Sequence, residues 1–559
     1  MDKNTVMRDG GSLLMDCLIS LGAKVGFGVP GESYLAVLNA MHDHQDDFRF
    51  IIARQEGGAA YMAEAWGKLT GEPGLCFVTR GPGATNASIG VHTAMQNSTP
   101  MLLFVGQVGS DMIGREAFQE IDYQAYFGNI AKWVVEIDDA TRIPEFISRA
   151  WSTALSGRPG PVVVSLPETL LTQEITTAPC KPVSIPEPGI STTQLVAVEK
   201  MLNTANKPVV MIGGSRWQHD GVDALCGFCA ANNLPIVAAH RFHDIVDNHH
   251  DCYAGDASVG MHPYMKSMLR EADVILAINI RFGEMTTDAY TLFDSPQMKA
   301  KLVHSHVSDA ELGKIYAADI PLHAGPNCFA EALSSITLQP NQARQKWCDE
   351  ARQTYVNSFK IDPQDSPVDM GEVMMILADI LPEDVIVTHG AGNFALWPNR
   401  FMKFGHKARL LGPQSGAMGA GVPAAIAAKA RYPDRTVLCF AGDGDFQMNG
   451  NELGTAMQEN IQSIILILNN GTYGTIRMHQ ERTYPNRVSG TDLVNPDFVT
   501  LASAYGFHGE RVASTDEFSA AFKRALASPT GAVLELMIGA EAISPRATIT
   551  SLRDNAKTP

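Results

Sequence analysis

Short continuous apolar runs recur along the whole chain, each followed by a stretch with helical spacing. "FRFIIA" precedes "GGAAYMAEAWGKL", "GLCFVT" precedes "ATNASIGVHTAMQ", and "PMLLFVG" comes next. "PVVMIGG", "LPIVAA", "ADVILAIN" and "KLVHSHV" follow, then "DVIVTHG", "TVLCFAG", "SIILILN" and "GAVLELM". A strand with one wet face alternates apolar and polar residues, and these runs do not. Both faces must then be covered by the intervening helices, which predicts parallel sheets in α/β layers. At 559 residues the chain exceeds what one core holds. Pro-rich stretches at 178–189 ("APCKPVSIPEPG") and 362–369 ("DPQDSPVD") read as linkers. The expected organisation is three doubly wound parallel-sheet domains at 1–180, 190–340 and 365–540, with a C-terminal tail at 541–559.

Charge and cysteine usage narrow the setting. The formal net charge of −17 argues against nucleic acid and anionic membrane as partners. No apolar run approaches the roughly 20 residues that cross a bilayer. The first residues, "MDKNTVMRDG", lack the apolar core of a secretion signal. Nine cysteines, an odd number spread over a long chain, suit a reducing cytoplasm. Cys226 and Cys229 have redox spacing but fall in an amphipathic stretch and read as packed helical cysteines. His240, His243, His249 and His250 crowd one Asp- and Asn-rich segment, which reads as a solvated loop rather than a metal site.

The chemistry concentrates at 442–452, "GDGDFQMNGNE", and 469–474, "NNGTYG". Each patch follows an apolar strand, so Asp443 and Asn470 fall at the carboxyl ends of neighbouring strands, where α/β sheets bind ligands. A carboxylate and an amide oxygen form a hard-oxygen pair suited to Mg²⁺, which takes its remaining ligands from phosphate and water. Gly442, Gly444 and Gly471 let the backbone approach and offer N–H groups to phosphate oxygens. Alone, Gly-Asp-Gly is an ordinary turn with a capping acid. Its pairing with Asn-Asn across one strand–helix–strand unit makes it more.

That pair resembles the fingerprint of thiamin-diphosphate enzymes, and the chain as a whole is similar to their acetolactate synthase-like group. "FGVPGESYLAVLNAM", "ARQEGGAAYMAEAWGKLTG", "GPGATNASIG", "GREAFQEID", "SGRPGPVVVSLP" and "SGAMGAGVPAAIAA" carry the likeness over residues 11–540. It implies pyrimidine, central and diphosphate domains. It also implies a site shared between two chains, hence a homodimer at least and commonly a homotetramer. Thiamin diphosphate would act as electron sink and Mg²⁺ as its anchor. By this resemblance Asp443, Asn470 and the backbone carbonyl of Thr472 hold the metal. Gly442, Gly444, Asp445, Asn470 and Gly471 surround the cofactor. Asn393 and Phe394 stand where a diphosphate-contacting Gln-His pair is usual, and Met418 matches the apolar residue that bends the cofactor into a V. Glu56, just past a strand end and before two glycines, would share a proton with the pyrimidine ring across a dry interface.

The substrate side departs from the family pattern. Glu32 replaces a small glycine, Arg80 a serine, Thr475 a methionine and His479 a tryptophan, while Gln119 is kept. Together these suggest a pocket more polar than pyruvate needs. Arg281 and Phe282 begin a flavin-holding stretch, but Gly283, Glu284 and Met285 replace the rest of it, so FAD is a possible further cofactor. The expected activity is decarboxylation of a 2-oxo acid with acyl transfer to an acceptor carbonyl. The alternatives are a 2-oxo acid decarboxylase that releases an aldehyde and a non-catalytic cofactor-binding paralogue.

Overall fold

A computed structural model describes residues 6–556. Three six-stranded sheets follow one another along the chain, and every strand pair named below is parallel. The first contains β1 (Val25–Gly28), β2 (Arg49–Ile52), β3 (Gly74–Val78), β4 (Met101–Gln107), β5 (Trp133–Glu136) and β6 (Pro161–Pro167), in the order β2-β1-β3-β4-β6-β5. The second contains β7 (Pro208–Ile212), β8 (Ile236–Ala239), β9 (Tyr253–Ala257), β10 (Val274–Ile278), β11 (Lys301–His306) and β12 (Ile320–His323), in the order β12-β11-β10-β7-β8-β9. The third contains β13 (Ile386–His389), β14 (Arg409–Leu411), β15 (Val437–Gly442), β16 (Ile464–Asn469), β17 (His508–Val512) and β18 (Ala532–Met537), in the order β14-β13-β15-β16-β18-β17. Central strands such as β4, β6 and β15 are buried at every residue, as unalternating apolar runs require.

Each sheet reverses its winding near its middle, between β1 and β3, between β7 and β10, and between β13 and β15, and the first and third turn back again at their last strand. Loops part at such points and leave a crevice beyond the carboxyl ends of the strands. The first and third sheets share one strand order although their sequences show no repeat.

These two domains also share a core. The helix Glu56–Thr70 is rich in Gly and Ala and buried along almost its whole length. It packs on the similarly small-residue helix Gly421–Arg431, and one apolar cluster runs from Phe27 and Val78 through Ala425 to Ile465. Small side chains bring the two helices close together, so a bulkier residue here would overpack at about 1–3 kcal/mol. Gln55 caps the first helix, its side-chain oxygen accepting from the Gly58 N–H at 3.1 Å.

Two expectations need correction or extension. His240 and His243 are not solvated: the segment after β8 turns inward, where Asp244 accepts from Arg409 Nε at 3.1 Å and the His243 ring packs edge-on against Phe404. Burial lowers both histidines and keeps them neutral. Only His249 of the four is exposed. The segment from 541 is more than a tail, because the helix Ile549–Asp554 docks on the helix Gly474–Thr483. There Arg553 Nη2 donates to the fully buried Glu481 at 2.7 Å. Cys226 and Cys229 lie on the helix His219–Asn232, and burial raises both thiols, Cys226 to about 12. That leaves them protonated and poor nucleophiles.

Candidate active site

At the β13/β15 reversal lies a cleft of about 890 Å³. Asn393, Phe394, Met418, Gly442, Asp443, Gly444, Asp445, Asn470, Thr472 and Thr475 all line it. The loops after β13, β15 and β16 supply most of them.

Asp443 begins the helix Asp443–Asn449 and is buried. Its Oδ1 accepts from the Gly444 N–H at 2.9 Å, and its Oδ2 accepts from the Gly471 N–H at 2.9 Å and from Asn495 Nδ2 at 2.8 Å. Burial pushes this carboxyl up, and the donors oppose the shift. Neutral donors only partly compensate a buried carboxylate. A divalent cation beside it would reverse the balance. Asn470 Oδ1 accepts from the Thr472 N–H at 3.2 Å, and Thr472 Oγ1 donates to the Thr491 carbonyl at 2.9 Å, which fixes the turn. Gly471 holds φ at +67°, a conformation that favours glycine. This donor set fits Mg²⁺.

Behind Asp443 stands a polar chain that the sequence reading missed. Asn495 Nδ2 also donates to Asn469 Oδ1 at 2.9 Å, Asn469 Nδ2 to Glu535 Oε1 at 2.7 Å, and Arg511 Nε to Glu535 Oε2 at 2.7 Å. Glu535 had a visible signal, a lone acid inside the apolar run "GAVLELM". Asn495, in a polar loop, had none.

Asp445 is buried and works mainly on the backbone. Its Oδ1 accepts from the Ala391 N–H at 3.1 Å and the Gly419 N–H at 2.9 Å. It thereby ties together the loops that carry Asn393 and Met418. Burial pushes its carboxyl up to about 7, against those two N–H groups and the charge of Arg241. Asn393 is engaged at both ends, its Nδ2 donating to the Ile543 carbonyl at 2.9 Å and its Oδ1 accepting from Thr475 Oγ1 at 3.0 Å. The Phe394 ring covers Gly442 so closely that a Cβ there would lie 2.8 Å from it. Met418 is half-buried, and its carbonyl accepts from Tyr61 of the helix Glu56–Thr70 at 3.2 Å.

The other predicted residues gather elsewhere, on the loops beyond the first sheet. Glu56 opens its helix half-buried, and its Oε2 accepts from Asn86 Nδ2 at 2.9 Å. Glu32 follows β1 and Arg80 follows β3, and the two are ion-paired through Arg80 Nη2. The Gln119 carbonyl accepts from the Gly81 N–H at 2.9 Å. Among the described residues, none of these lines the Asp443 cleft of its own chain. His479 is exposed on the helix Gly474–Thr483 and is also outside that lining.

Glu452 is a further residue that sequence reasoning passed over. It is fully buried, and its carboxylate accepts from the Arg54 N–H at 3.1 Å, the Gln55 N–H at 3.0 Å and Thr455 Oγ1 at 2.6 Å. An acid of the third domain thus grips the turn that presents Glu56. Gly58 makes room for it, since a Cβ there would meet Glu452 at 2.4 Å.

At the β7/β10 reversal a cavity of about 380 Å³ is lined by Arg158, His240, Arg281 and His306. It adjoins a crevice of about 1030 Å³ through shared residues Gly214, Ser215 and Phe242. Arg281 Nη1 donates to the Gln96 carbonyl at 2.7 Å, while its buried Nε has no partner. Arg158 and Arg281 bring positive charge to this end of the sheet. Glu284 and Met285 face solvent instead.

Comparison with known proteins supplies the context. Residues 8–126 match the N-terminal TPP binding domain of thiamine pyrophosphate enzymes, 195–333 the central domain and 390–536 the C-terminal TPP binding domain. The acetolactate synthase large subunit of Lactococcus lactis is 32% identical, covering 89% of this chain and 87% of that protein. The isozyme 2 large subunit of Escherichia coli is 30% identical over 95% of both chains. The acetolactate synthase large subunit of Parasynechococcus marenigrum is 30% identical over 95% of this chain and 87% of its own.

Proposed function

Since the chain belongs to the acetolactate synthase large-subunit family of thiamine pyrophosphate enzymes, we propose that it decarboxylates a 2-oxo acid and transfers the acyl group to the carbonyl of an acceptor. The observation that carries this reading is the buried Asp443 beside Asn470 at adjoining strand ends, with a cleft open above them.

When bound, thiamin diphosphate supplies the electron sink that lets the bond between a carboxylate and a 2-oxo carbon break. The chain's own residues bind, orient and protonate. Asp443, Asn470 and the Thr472 carbonyl would hold Mg²⁺ and through it the diphosphate. Gly442 and Gly444 line the cleft where the phosphates would lie, and Met418 would prop the rings. Asp445 fixes the backbone under both. Glu56 would hold a proton against the pyrimidine ring, Gln119 would face the reacting carbonyl, and Glu32 stands beside them as the counter-ion of Arg80.

The site is completed by a second copy of the chain, in a dimer or a tetramer. Two observations support this. Glu56 and Gln119 lie outside the cleft of their own chain. Both halves also carry exposed apolar residues, Leu35, Met112 and Phe118 on one and Ile476 and Val494 on the other, the usual mark of an interface. No helix among the described residues is long and apolar enough to cross a membrane, and a cytoplasmic location is part of the same reading. FAD in the central crevice would serve structure rather than the reaction. Visible flavin absorption of the purified protein decides its presence.

The deciding experiment supplies purified protein with thiamin diphosphate, Mg²⁺ and a panel of 2-oxo acids, reading CO₂ release and product mass. The expected result is CO₂ with a carbon–carbon ligation product. Absence of CO₂ from every member overturns the reading.

A further inference from the structure

Arg80 and Glu32 flank the winding reversal of the first sheet, the crevice position that the metal site occupies in the third. Arg80 is buried, with 8% exposure, yet it is only partly satisfied. Its Nη2 pairs with Glu32 and lies 3.4 Å from Glu168, and its Nη1 lies 3.5 Å from the Phe118 carbonyl. Its Nε is buried without a partner. Tyr123, just past the Gln119 loop that packs on Gly81, is 3% exposed, and its hydroxyl is also without a partner. A buried donor left unpaired is costly, so the Arg80 guanidinium calls for a further acceptor.

The counter-ions differ from the arginine in kind. The side chains of Glu32 and Glu168 are 67% and 41% exposed. They have room to turn aside, whereas Arg80 cannot leave. An incoming anion would displace them and meet a planar fork fixed for bidentate binding. We propose that Arg80 is a specificity residue that binds a second anionic group on the substrate, so that the preferred 2-oxo acid is a dianion. This rests on the 2-oxo acid reading above. The departing carboxylate is a poor candidate for this partner. It loses its charge as CO₂ forms, so an arginine on it would hold the ground state more tightly than the transition state and slow the step. Arg80 instead holds a group that keeps its charge throughout.

The test uses holoenzyme and a matched pair of substrates, 2-oxoglutarate and 2-oxopentanoate, which differ only in the terminal carboxylate. The wild type should favour 2-oxoglutarate in kcat/KM. Arg80→Ser should lower that preference by about 10–100-fold, the worth of a charged hydrogen bond, and Arg80→Lys by less. Calorimetry with non-reacting glutarate provides a readout independent of turnover. Glu32→Gln, a change at an exposed position, should tighten glutarate binding by freeing Arg80, and added salt should weaken it. A preference for 2-oxopentanoate, an unchanged ratio in Arg80→Ser, or glutarate affinity unaffected by Glu32→Gln overturns the proposal. Turnover of other 2-oxo acids in that event leaves the broader function standing. If no 2-oxo acid releases CO₂, the broader function fails, and the glutarate titrations still decide whether Arg80 binds anions.

Discussion

The first and third domains wind their strands in the same order but finish their strand ends in opposite ways. In the third, Asp443 is buried, hydrogen-bonded through three donors and backed by a chain reaching Arg511. In the first, Glu56 and Gln119 are half-buried, Glu32 is exposed, and Phe118 beside them is largely bare. One domain is preorganised by its own chain. The other presents its groups on a surface that a second subunit would cover. A shared topology therefore fixes where a site lies, at the carboxyl ends by the winding reversal, and the loops decide whether one chain completes it.

The largest effect should come from breaking the preorganised half. Asp443→Ala removes the carboxylate proposed to hold Mg²⁺ and leaves the Gly471 N–H and the Asn495 amide with Asn469 Oδ1 as their remaining acceptor. Calorimetry should detect no thiamin diphosphate binding, and raised Mg²⁺ should not restore it. Unchanged affinity would refute the metal assignment. Breaking the other half should act differently. Glu56→Gln should still bind cofactor and Mg²⁺ but exchange the cofactor's C2 proton about 10²–10⁴-fold more slowly, the range for a general acid–base group. Mixing the two inactive variants sharpens the comparison, because a hybrid dimer holds one site with both wild-type halves. Activity should return once native mass spectrometry shows hybrids. Hybrids without activity would rule out the shared site.

Much of this was legible in the sequence, for reasons specific to particular segments. Unalternating runs such as "VLCFAG" can only be strands covered on both faces, so three parallel-sheet domains followed from them. Asp443 and Asn470 were legible because each directly follows such a run. Long-range partners were not. Glu452 acts on Arg54 and Gln55 across two domains, and nothing near it in sequence marks that contact. The inward turn of His240 and His243 was hidden for a related reason: a polar segment reads as wet until the domain that covers it is known. Asn393, placed against the diphosphate by resemblance, has its amide occupied by Thr475 and Ile543, partners distant in sequence.

A smaller effect tests how firmly one half steadies the other. Glu452→Ala strips acceptors from two backbone N–H groups in the turn that presents Glu56. Such loss costs about 1–3 kcal/mol in stability, read as a lower denaturant midpoint. C2 proton exchange should slow as well, because Glu56 is no longer held in place. A variant with lowered stability and wild-type exchange would mean that Glu452 joins the domains without positioning Glu56.

The smallest effect is a pH dependence inside the preorganised half. Burial raises the Asp445 carboxyl to about 7 in the folded chain, above its ordinary 3.8. The folded state therefore holds this proton where the unfolded state has lost it. The group's contribution to stability is full below the ordinary value and fades as pH rises through about 7. Asp445→Asn keeps an oxygen for the Ala391 and Gly419 N–H groups but cannot ionise. Cofactor-free wild type and variant should then be compared by thermal unfolding from about pH 5 to 8, a window that spans the raised value. Histidines and other carboxyls titrate in both proteins, so the difference between the two midpoints isolates Asp445. The wild type should lose ground to the variant steadily as pH rises. A constant difference would mean that the carboxylate is already charged at the lower pH, stabilised by Arg241 and the two N–H groups. Asp445 would then be as well compensated as Asp443 is expected to be only once its cation is bound.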